Sequence, residues 1–317
     1  MKFLHRCFAL LAFVLAALLL TAPLVLGATL VRLALLLPIP LNAHGVAGYM
    51  MIDLPPFANV AASGLATAKF DNIIGYTIDR IILELGGGNT KANMTLIRML
   101  ANEKEIFNDT GSNCDSRMQY RGITANASYL TLDFSEIRAR TIVGQRVGSI
   151  DTISAGINKI SCEVTLGAGV APTLSSFAML SAAPQTDPAF NRLIAKIANR
   201  TFNPGGSGEF LFDFNYQRVP FSYIKRVHLI GATVTAARAK KNGIEILKAT
   251  NARKNFVQTE FLRTPQANIY CFDFVVDGNM SDALPMANAQ SMEWYVTTSG
   301  AGNITMIVEL LDLLENN

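Results

Sequence analysis

The chain has 317 residues, which is enough for two domains with separate hydrophobic cores. Half of the residues are hydrophobic and 16% are charged, against about 25% in a typical soluble domain, so we expect large apolar or weakly polar surfaces to be covered by partners. The net charge of +3 is too small to indicate a nucleic-acid-binding protein.

Residues 1–49 differ in composition from the rest of the chain, and a run without charge extends from Cys7 to Gly27. The charged residues of this segment are Lys2, Arg6 and Arg32. Three interpretations of this N-terminal extension stay open: a secretory signal peptide, a membrane anchor, or residues upstream of a translation start at Met50 or Met51. From Met51 onward, prolines and small residues predict an extended arm that includes Pro55–Gly64 and leads into a domain.

The stretch from Tyr76 to Phe107 predicts a strand, a glycine turn and a helix. The strand has one apolar face, formed by Ile81, Leu83 and Leu85. Gly86–Asn89 breaks it, and from Lys91 the apolar residues follow a helical spacing of i, i+3, i+6 and i+7. These residues are Met94, Ile97, Leu100 and Ala101. Further strands are predicted at Tyr129–Phe134 and Ile157–Leu166.

A linker helix is predicted between the two halves of the chain. Asp187 is a good N-cap, and Pro188 suits the first helical position because it needs no amide partner. An apolar stripe follows, formed by Phe190, Leu193, Ile194 and Ile197. Asn203–Gly206 ends the predicted helix and makes a hinge at the boundary between the domains.

The second half repeats the first. It opens with a predicted strand at Phe210–Tyr216, and four blocks then recur in the same order at offsets of 146, 149, 140 and 133 residues. The pairs are RIILELG with RVHLIG, IRMLANEKEIF with ILKATNARKNF, YLTLDF with IYCFDF, and VTLGAG with TTSGAG. This repeat predicts two similar domains in which Ile97 matches Ile246 and Phe107 matches Phe256.

Each half thus has several short strands, one helix after an early strand, and turns rich in Gly, Asn and Ser. This pattern predicts a mainly β protein of two tandem antiparallel jelly-roll β-sandwiches, with a short helix after an early strand of each and a linker helix. The predicted parts are an N-terminal extension at 1–49, an arm and first jelly roll at 50–186, a linker helix and hinge at 187–208, and a second jelly roll at 209–317.

Several segments between Pro56 and Asp312 resemble the corticovirus-type double jelly-roll major capsid protein, and finnlakevirus coat proteins are similar. The resemblance lies in PFANVAASG, the unit from Ile78 to Ile106, FNRLIAKIANRTFN, the unit from Tyr223 to Phe256, YCFDFVVDG and NITMIVELLD. It rests on the order of these segments, and residues 1–49 have no counterpart in that family.

The resemblance implies a coat protein of an icosahedral, tailless virus with an internal membrane, located in the capsid shell of the virion. It implies a homotrimer whose six sandwiches tile the shell as a pseudo-hexagon. The implied partners are neighbouring capsomers, a vertex (penton) protein, and the internal membrane or its proteins. Sequence-specific nucleic acid is not among them. The arm would reach under the shell toward the membrane or a neighbouring capsomer.

The sequence predicts no catalytic residue, no cofactor-binding residue and no metal ligand. Gly86–Gly88 lacks the spacing of a phosphate-binding loop, so we interpret it as a turn. His228 has no local partners for a triad or a metal cluster and is predicted to be a partly buried strand residue. Cys162 and Cys271 lie in strand-like runs and are predicted to be buried small hydrophobes.

Calcium is a weak alternative at two acidic segments. Asp109–Asp115 places oxygen atoms at alternate positions but has Tyr120 where a calcium loop carries glutamate. A second cluster combines Asp277, Asn279 and Asp282. Polar turns rich in Asp and Asn are the more common explanation of both.

Two functions from different classes remain. The first is a structural coat protein. The alternative is a secreted or membrane-anchored protein with two β-sandwich domains that binds a carbohydrate or a cell-surface ligand. The alternative gains support from residues 1–49 and from six N-x-[ST] sequons, at Asn93, Asn108, Asn126, Asn199, Asn279 and Asn303. An enzyme is not expected.

Overall fold

The computed structural model describes residues 50–168, 171–181, 192–212 and 219–316. These described residues belong to one compact unit. Residues 1–49, to which the three interpretations apply, lie outside the described residues. Among the described residues, no helix combines the length and the apolar character that crossing a bilayer requires.

The first sandwich, which we call the first roll, spans residues 50–181. Its strands are β1 Met50–Asp53, β2 Leu65–Lys69, β3 Thr77–Gly86, β4 Met94–Ala101, β5 Lys104–Asp109, β6 Tyr129–Asp133, β7 Ile150–Asp151, β8 Ile160–Leu166 and β9 Thr173–Ser181. Its helices are α1 Gly111–Tyr120 and α2 Ile142–Arg146, with 3-10 turns at Asp71–Ile73 and Lys91–Asn93. One sheet has the order β1-β9-β3-β6 with β7 beside β3, and the facing sheet has the order β2-β8-β4-β5.

The second roll spans residues 192–316 and repeats this topology strand for strand. Its strands are β10 Leu193–Phe202, β11 Ser207–Phe212, β12 Tyr223–Ile230, β13 Val234–Lys241, β14 Ile244–Thr250, β15 Ile269–Asp273, β16 Leu284–Pro285, β17 Met292–Ser299 and β18 Ile304–Leu313. Its α-helix is α3 Asn251–Glu260, and a 3-10 turn lies at Met280–Asp282. The sheets have the orders β10-β18-β12-β15, with β16 beside β12, and β11-β17-β13-β14.

Each roll encloses its own core between its two sheets. In the first roll, Ile81 and Leu83 point inward with Ile97 and Met99 from the facing sheet. In the second roll, Trp294 is fully buried and packs against Phe212 and Phe272 at ring-centroid distances of 6.4 and 5.3 Å. The prediction of two tandem antiparallel jelly rolls is confirmed.

The prediction of a helix from Lys91 is wrong. This segment forms β4 and β5, and Gly86–Gly88 therefore turns between two strands. The register of β4 shifts between Met94 and Leu96, and such a bulge adds one residue to the alternation of a strand. The bulge places Met94 and Ile97 on the same buried face, three residues apart, which imitates a helical spacing. The helix of this roll comes later, at α1, where Thr110 caps the amide of Asn113.

The prediction of a linker helix is also wrong for its described residues. Residues 187–191 lie outside the described residues, and Leu193–Phe202 forms β10, a strand of the second roll that pairs with β18 along its whole length. The first five residues of β10 are buried on both faces. A strand buried in this way cannot be distinguished from a buried helix by its periodicity. The second roll therefore starts at Leu193 rather than at 209, and Asn203–Gly206 joins two strands of that roll.

The prediction of an extended arm before the first domain is also wrong. Residues 50–53 form β1, which pairs with β9, and residues 65–69 form β2, which pairs with β8. Between them, Leu54 and Phe57 are buried in the first core. The segment is thus part of the first roll and does not reach away from it.

The predicted register of the repeat is wrong in its second block. Met99 lies opposite Phe107 in the first roll, and Ala239 lies opposite Leu247 in the second. Phe107 is therefore equivalent to Leu247, 140 positions later. Helices α1 and α3 also begin 140 positions apart. By the same count Ile97 matches Ala237 rather than Ile246. Phe256 lies in α3 with 65% of its surface exposed, so its match with Phe107 is excluded.

Candidate functional site at the junction of the two rolls

The two rolls meet where β5 of the first runs parallel to β10 of the second. Phe107 lies opposite Ile197 at this contact. One sheet of the first roll thereby continues into one sheet of the second. Helix α1 follows β5 directly, and its Arg117 and Tyr120 lie against β18 and β12 of the second roll.

Beside this contact lies a group of buried charges, which we call the junction cluster. Its basic members are Arg117, Arg121, Lys225, Arg226 and Arg263, and its carboxylates are Asp109, Asp133, Glu136, Asp273 and Glu309. All ten side chains are almost completely buried. The five positive and five negative charges cancel, as a buried group of charges requires.

Arg226 on β12 is the centre of the junction cluster. Its guanidinium donates to both oxygens of Glu136 in the first roll, with Nη1 2.8 Å from Oε1 and Nη2 3.2 Å from Oε2. Nη1 also donates to Glu309 at 3.0 Å, and Nε lies 3.1 Å from Asp273. Lys225, the preceding residue, donates to Glu136 at 2.9 Å. One carboxylate of the first roll thus holds two cations of the second.

Arg117 on α1 makes the reciprocal contact. It donates from Nε and Nη2 to Asp109 of its own roll at 2.9 and 2.7 Å. Its Nη1 donates to Glu309 of the second roll at 2.8 Å. On the same helix, the hydroxyl of Tyr120 donates to Asp273 at 2.8 Å. The two rolls are therefore joined by charge-assisted hydrogen bonds in both directions, which are the stronger class.

These contacts shift the ionisation of the buried groups. Burial alone would raise the pKa of Glu136, but Arg121, Arg226 and Lys225 hold that pKa well below its ordinary value. Burial opposes ionisation of Glu309 in the same way, and the hydrogen bond from His228 with the charges of Arg226 and Arg117 keeps its pKa well below the usual range. Both carboxylates are therefore ionised at neutral pH.

His228 contacts the junction cluster from β12. It is completely buried rather than partly buried as predicted. Its Nε2 lies 3.2 Å from Oε1 of Glu309, and the ring packs edge-on against Tyr120 with centroids 5.5 Å apart. Burial lowers the pKa of His228 below its ordinary value. The imidazole is therefore neutral at pH 7, and Nε2 donates to the carboxylate.

The arrangement serves to hold two domains together. Each charge is used by a partner of the opposite sign, and within the described part of the chain no group of three or more His, Cys, Asp or Glu residues could hold a metal ion. Removing one partner of a buried ion pair costs about 3–5 kcal/mol because it leaves the other charge unpaired. The junction cluster therefore fixes how the rolls are joined.

The two segments considered for calcium have other roles. Asp109 is bound by Arg117, and Asp115 forms an ion pair with Lys91. Residues 111–120 form α1 rather than the open loop that a calcium site of this spacing needs. Asp277 forms an ion pair with Arg140 at 3.2 Å. The weak alternative of a calcium loop at Asp109–Asp115 therefore has no support in this geometry.

The cysteine predictions are confirmed for the described residues. Cys162 lies in β8 and Cys271 in β15, and both are buried and free, as is Cys114 in α1. Burial raises the pKa of the Cys162 thiol to about 12, which keeps it protonated. Cys7 lies outside the described residues.

Sequence reasoning missed the junction cluster. The available signal was a charged residue inside an apolar strand, as Arg226 in YIKRVHLI and Glu309 in ITMIVELLDL. A charge in the middle of a buried strand requires a buried partner. The identity of that partner depends on the topology, since Arg117 and Glu309 are 192 residues apart in sequence.

Comparison with protein families gives two matches, each to one half of the chain. Residues 51–182 match the sequence model of the "Viral coat protein P2 N-terminal domain", and residues 194–314 match that of the "Viral coat protein P2 C-terminal domain". Together they span most of the chain, and their limits agree with the two rolls. No curated protein sequence matches the chain.

Solved structures with the same fold include several capsid proteins. The major capsid protein P2 of bacteriophage PM2 superposes with a TM-score of 0.76 at 17% identity, over 85% of this chain and 99% of that one. The capsid protein (MCP) of Sulfolobus Turreted Icosahedral Virus gives a TM-score of 0.60 at 12% identity, over 84% and 97%. VP54 of PBCV-1 gives 0.57 at 11% identity, over 84% and 95%. These likenesses show the fold, a double jelly roll.

Proposed function

The chain belongs to the viral coat protein P2 family, and from this premise we propose that three copies assemble into a pseudo-hexagonal capsomer of an icosahedral, tailless virus with an internal membrane. Membership of the family makes the chain a structural protein of the virion shell that assembles with neighbouring subunits, not an enzyme. The interpretation as a secreted or membrane-anchored binding protein is therefore set aside.

The observation that carries the trimer proposal is the equivalence of the two rolls. Both have the same strand order, the same helix after the fifth strand, and a register shift at the same place in the third strand, between Ile78 and Arg80 and between Ile224 and Arg226. Three copies of such a chain supply six similar sandwiches around one axis, while the assembly keeps closed cyclic symmetry.

The solution mass of the full chain tests the trimer. One chain has a mass of 34.3 kDa. We expect light scattering to give three times this mass and negative-stain electron microscopy to show particles with a hexagonal outline. A species that stays at the mass of one chain at high protein concentration would contradict the proposal.

The remaining partners of the coat are also part of the proposal: neighbouring capsomers, a vertex (penton) protein and the internal membrane or its proteins. Their support is the resemblance of the chain to the corticovirus-type coat protein. Chemical cross-linking of intact virions followed by mass spectrometry tests them. We expect cross-links from this chain to a vertex protein and to membrane proteins, and cross-links to other copies of this chain alone would exclude both.

A further inference from the structure

The junction between the rolls pairs two edge strands, one from each roll. The strand equivalent to each of them in the other roll lies at the edge of a sheet in the described chain. The fifth strand of the first roll, β5, lies against the first strand of the second roll, β10. The equivalent strands are β14 in the second roll and β1 in the first. Each ends a sheet: among the described residues β14 pairs with β13, and β1 pairs with β9.

The residues that would meet at these two edges follow from the registers. Phe107 on β5 corresponds to Leu247 on β14, because each lies opposite the equivalent residue of the preceding strand. Ile197 on β10 corresponds to Met51 on β1, since their cross-strand neighbours Glu309 and Met179 in turn lie opposite Arg226 and Arg80. Leu247 and Met51 are therefore the positions equivalent to Phe107 and Ile197.

The helices next to these edges differ in chemistry. Arg117 on α1 and Arg121 just after it are buried in the junction cluster. The residues 140 positions later, on and just after α3, are Val257 and Phe261, which are 46% and 41% exposed. Val257 therefore presents an apolar side chain to solvent at the position where Arg117 reaches Glu309 of the second roll. Phe261 does so at the position where Arg121 is held by Asp133 and Glu136 of its own roll.

The sheet faces that lie against these helices also differ between the two rolls, and the difference complements that of the helices. Glu309 on β18 receives Arg117, and the residue equivalent to Glu309 in the first roll is Met179 on β9. Met51 beside it is 62% exposed. The apolar Val257 is thus matched to Met179 and Met51, which lie beside the Arg80–Asp133 ion pair. In the same way, Arg117 is matched to Glu309 inside the chain.

We propose that β14 of one copy pairs in parallel with β1 of the next copy, with Leu247 opposite Met51 and with α3 packed over Met179. This inference rests on the proposed trimer and names its contact surface. The contact joins two different surfaces, so it forms a closed ring when each step turns by one third of a circle. The charged junction inside the chain is not interchangeable with the apolar junction between chains, because Glu309 opposite Val257 would lose the buried hydrogen bond from Arg117.

A disulfide between the two positions tests the pairing. In full-length chain with Cys7→Ser as background, Met51→Cys and Leu247→Cys are combined, and the protein is oxidised and run on a non-reducing gel. Directly opposed strand residues fall within the roughly 4.4–6.8 Å between Cα atoms that a disulfide spans. We expect a covalent trimer. The three described cysteines are buried and do not compete.

The control is the pair of Met51→Cys with Ile244→Cys. Ile244 is on the same strand and is 70% exposed, but it lies three residues, about 10 Å, out of register. A trimer by mass in which the Leu247 pair does not cross-link, or in which both pairs cross-link equally, would overturn the inference and leave the trimer intact. A monomer by mass would instead refute the proposed function.

A second variant tests the packing of α3 without a disulfide. Val257→Asp changes an exposed side chain, so the fold of the single chain is expected to persist in circular dichroism. Because a buried charge without a partner opposes association, we expect the trimer to dissociate at protein concentrations at least about tenfold higher than the wild type. Ile153→Asp, at another exposed apolar residue, is the matched control. Equal effects of the two variants would contradict the inference.

Discussion

Arg80 and Arg226 occupy the same place in the two rolls. Each lies on the third strand of its roll, directly after the shift in register, and opposite an aspartate of the sixth strand. In both, Nε lies 3.1 Å from the aspartate, Asp133 for Arg80 and Asp273 for Arg226. The surroundings differ, because Arg226 is fully buried at the junction and Arg80 is partly exposed.

This difference predicts unequal effects of one substitution. Arg226→Met leaves Glu136, Glu309 and Asp273 with less positive charge in a buried site, so we expect the free energy of unfolding to fall by about 3–5 kcal/mol. Arg80→Met leaves Asp133 paired with Arg121 and is expected to cost about 1 kcal/mol. Urea denaturation followed by fluorescence measures both. Equal losses of unfolding free energy in the two variants would contradict a larger contribution of the junction cluster to stability.

The shifted pKa values predict how stability depends on pH. His228 has a pKa below 6.5 in the folded chain, so the unfolded chain takes up a proton near that pH that the folded chain does not. Stability is therefore expected to decline as the pH falls below about 6.5. Glu136 and Glu309 have pKa values well below 4.5, so their stabilisation is present above that pH and is lost below it.

Replacing the histidine separates the two effects. His228→Gln keeps a donor for Glu309 but does not titrate, so the decline that starts near pH 6.5 is expected to disappear while the decline below about pH 4.5 remains. Urea denaturation at a series of pH values measures this. A wild-type protein whose stability is constant from pH 7 to pH 5 would contradict the assignment of a neutral buried His228.

The two equivalent helices predict equivalent capping effects. The hydroxyl of Thr110 accepts from the amide of Asn113 at 3.2 Å, and that of Thr250 accepts from the amide of Arg253 at 3.4 Å. Thr110→Ala and Thr250→Ala are each expected to lower the free energy of unfolding by about 1 kcal/mol, and the serine variants by much less. Chemical denaturation checks this, and alanine variants as stable as the serine variants would exclude a capping role.

Replacing Lys254 on α3 by an apolar residue is expected to stabilise the protein. Burial lowers the pKa of this lysine to about 8, and its Nζ donates to the carbonyl of Ile269 at 3.0 Å. Because the folded pKa lies below the unfolded value of 10.5, charging the group costs stability at every pH below about 8. Lys254→Met is expected to raise the free energy of unfolding at pH 7 by about 1–2 kcal/mol after loss of that hydrogen bond.

The gain should shrink as the pH rises from 8 to 10.5, because the wild-type lysine becomes neutral in both states. Lys69→Met, at an exposed residue of β2, is the control and is expected to change stability by less than about 0.5 kcal/mol. A Lys254→Met variant less stable than wild type at pH 7 would show that the hydrogen bond outweighs the cost of the buried charge.

The sequence allowed prediction of the fold wherever a strand has one buried face and one exposed face. Ile81, Leu83 and Leu85 alternate with more polar positions, and Tyr129–Asp133 recurs as Ile269–Asp273 with the same aspartate at its end. These patterns were sufficient to predict two similar antiparallel sandwiches. They failed at β4, where a bulge changes the period, and at β10, which is buried on both faces.

The junction could not be predicted from local patterns. Helix α1 lacks the apolar stripe that predicts a helix, because two of its buried side chains, Arg117 and Tyr120, bind carboxylates of the other roll. The partners of Arg117 and Arg226 lie in another roll or on a distant strand. Their pairing follows from the strand order, which a single sequence without a structure does not provide.

The most direct test of the account is a cryo-electron microscopy map of the purified oligomer. It is expected to show three copies around one axis, with six rolls at similar spacing and Leu247 of each copy about 5 Å from Met51 of the next, as paired strands require. A map with another number of copies, or with β14 and β1 both facing solvent, would contradict the claim that the contact between copies repeats the junction inside the chain.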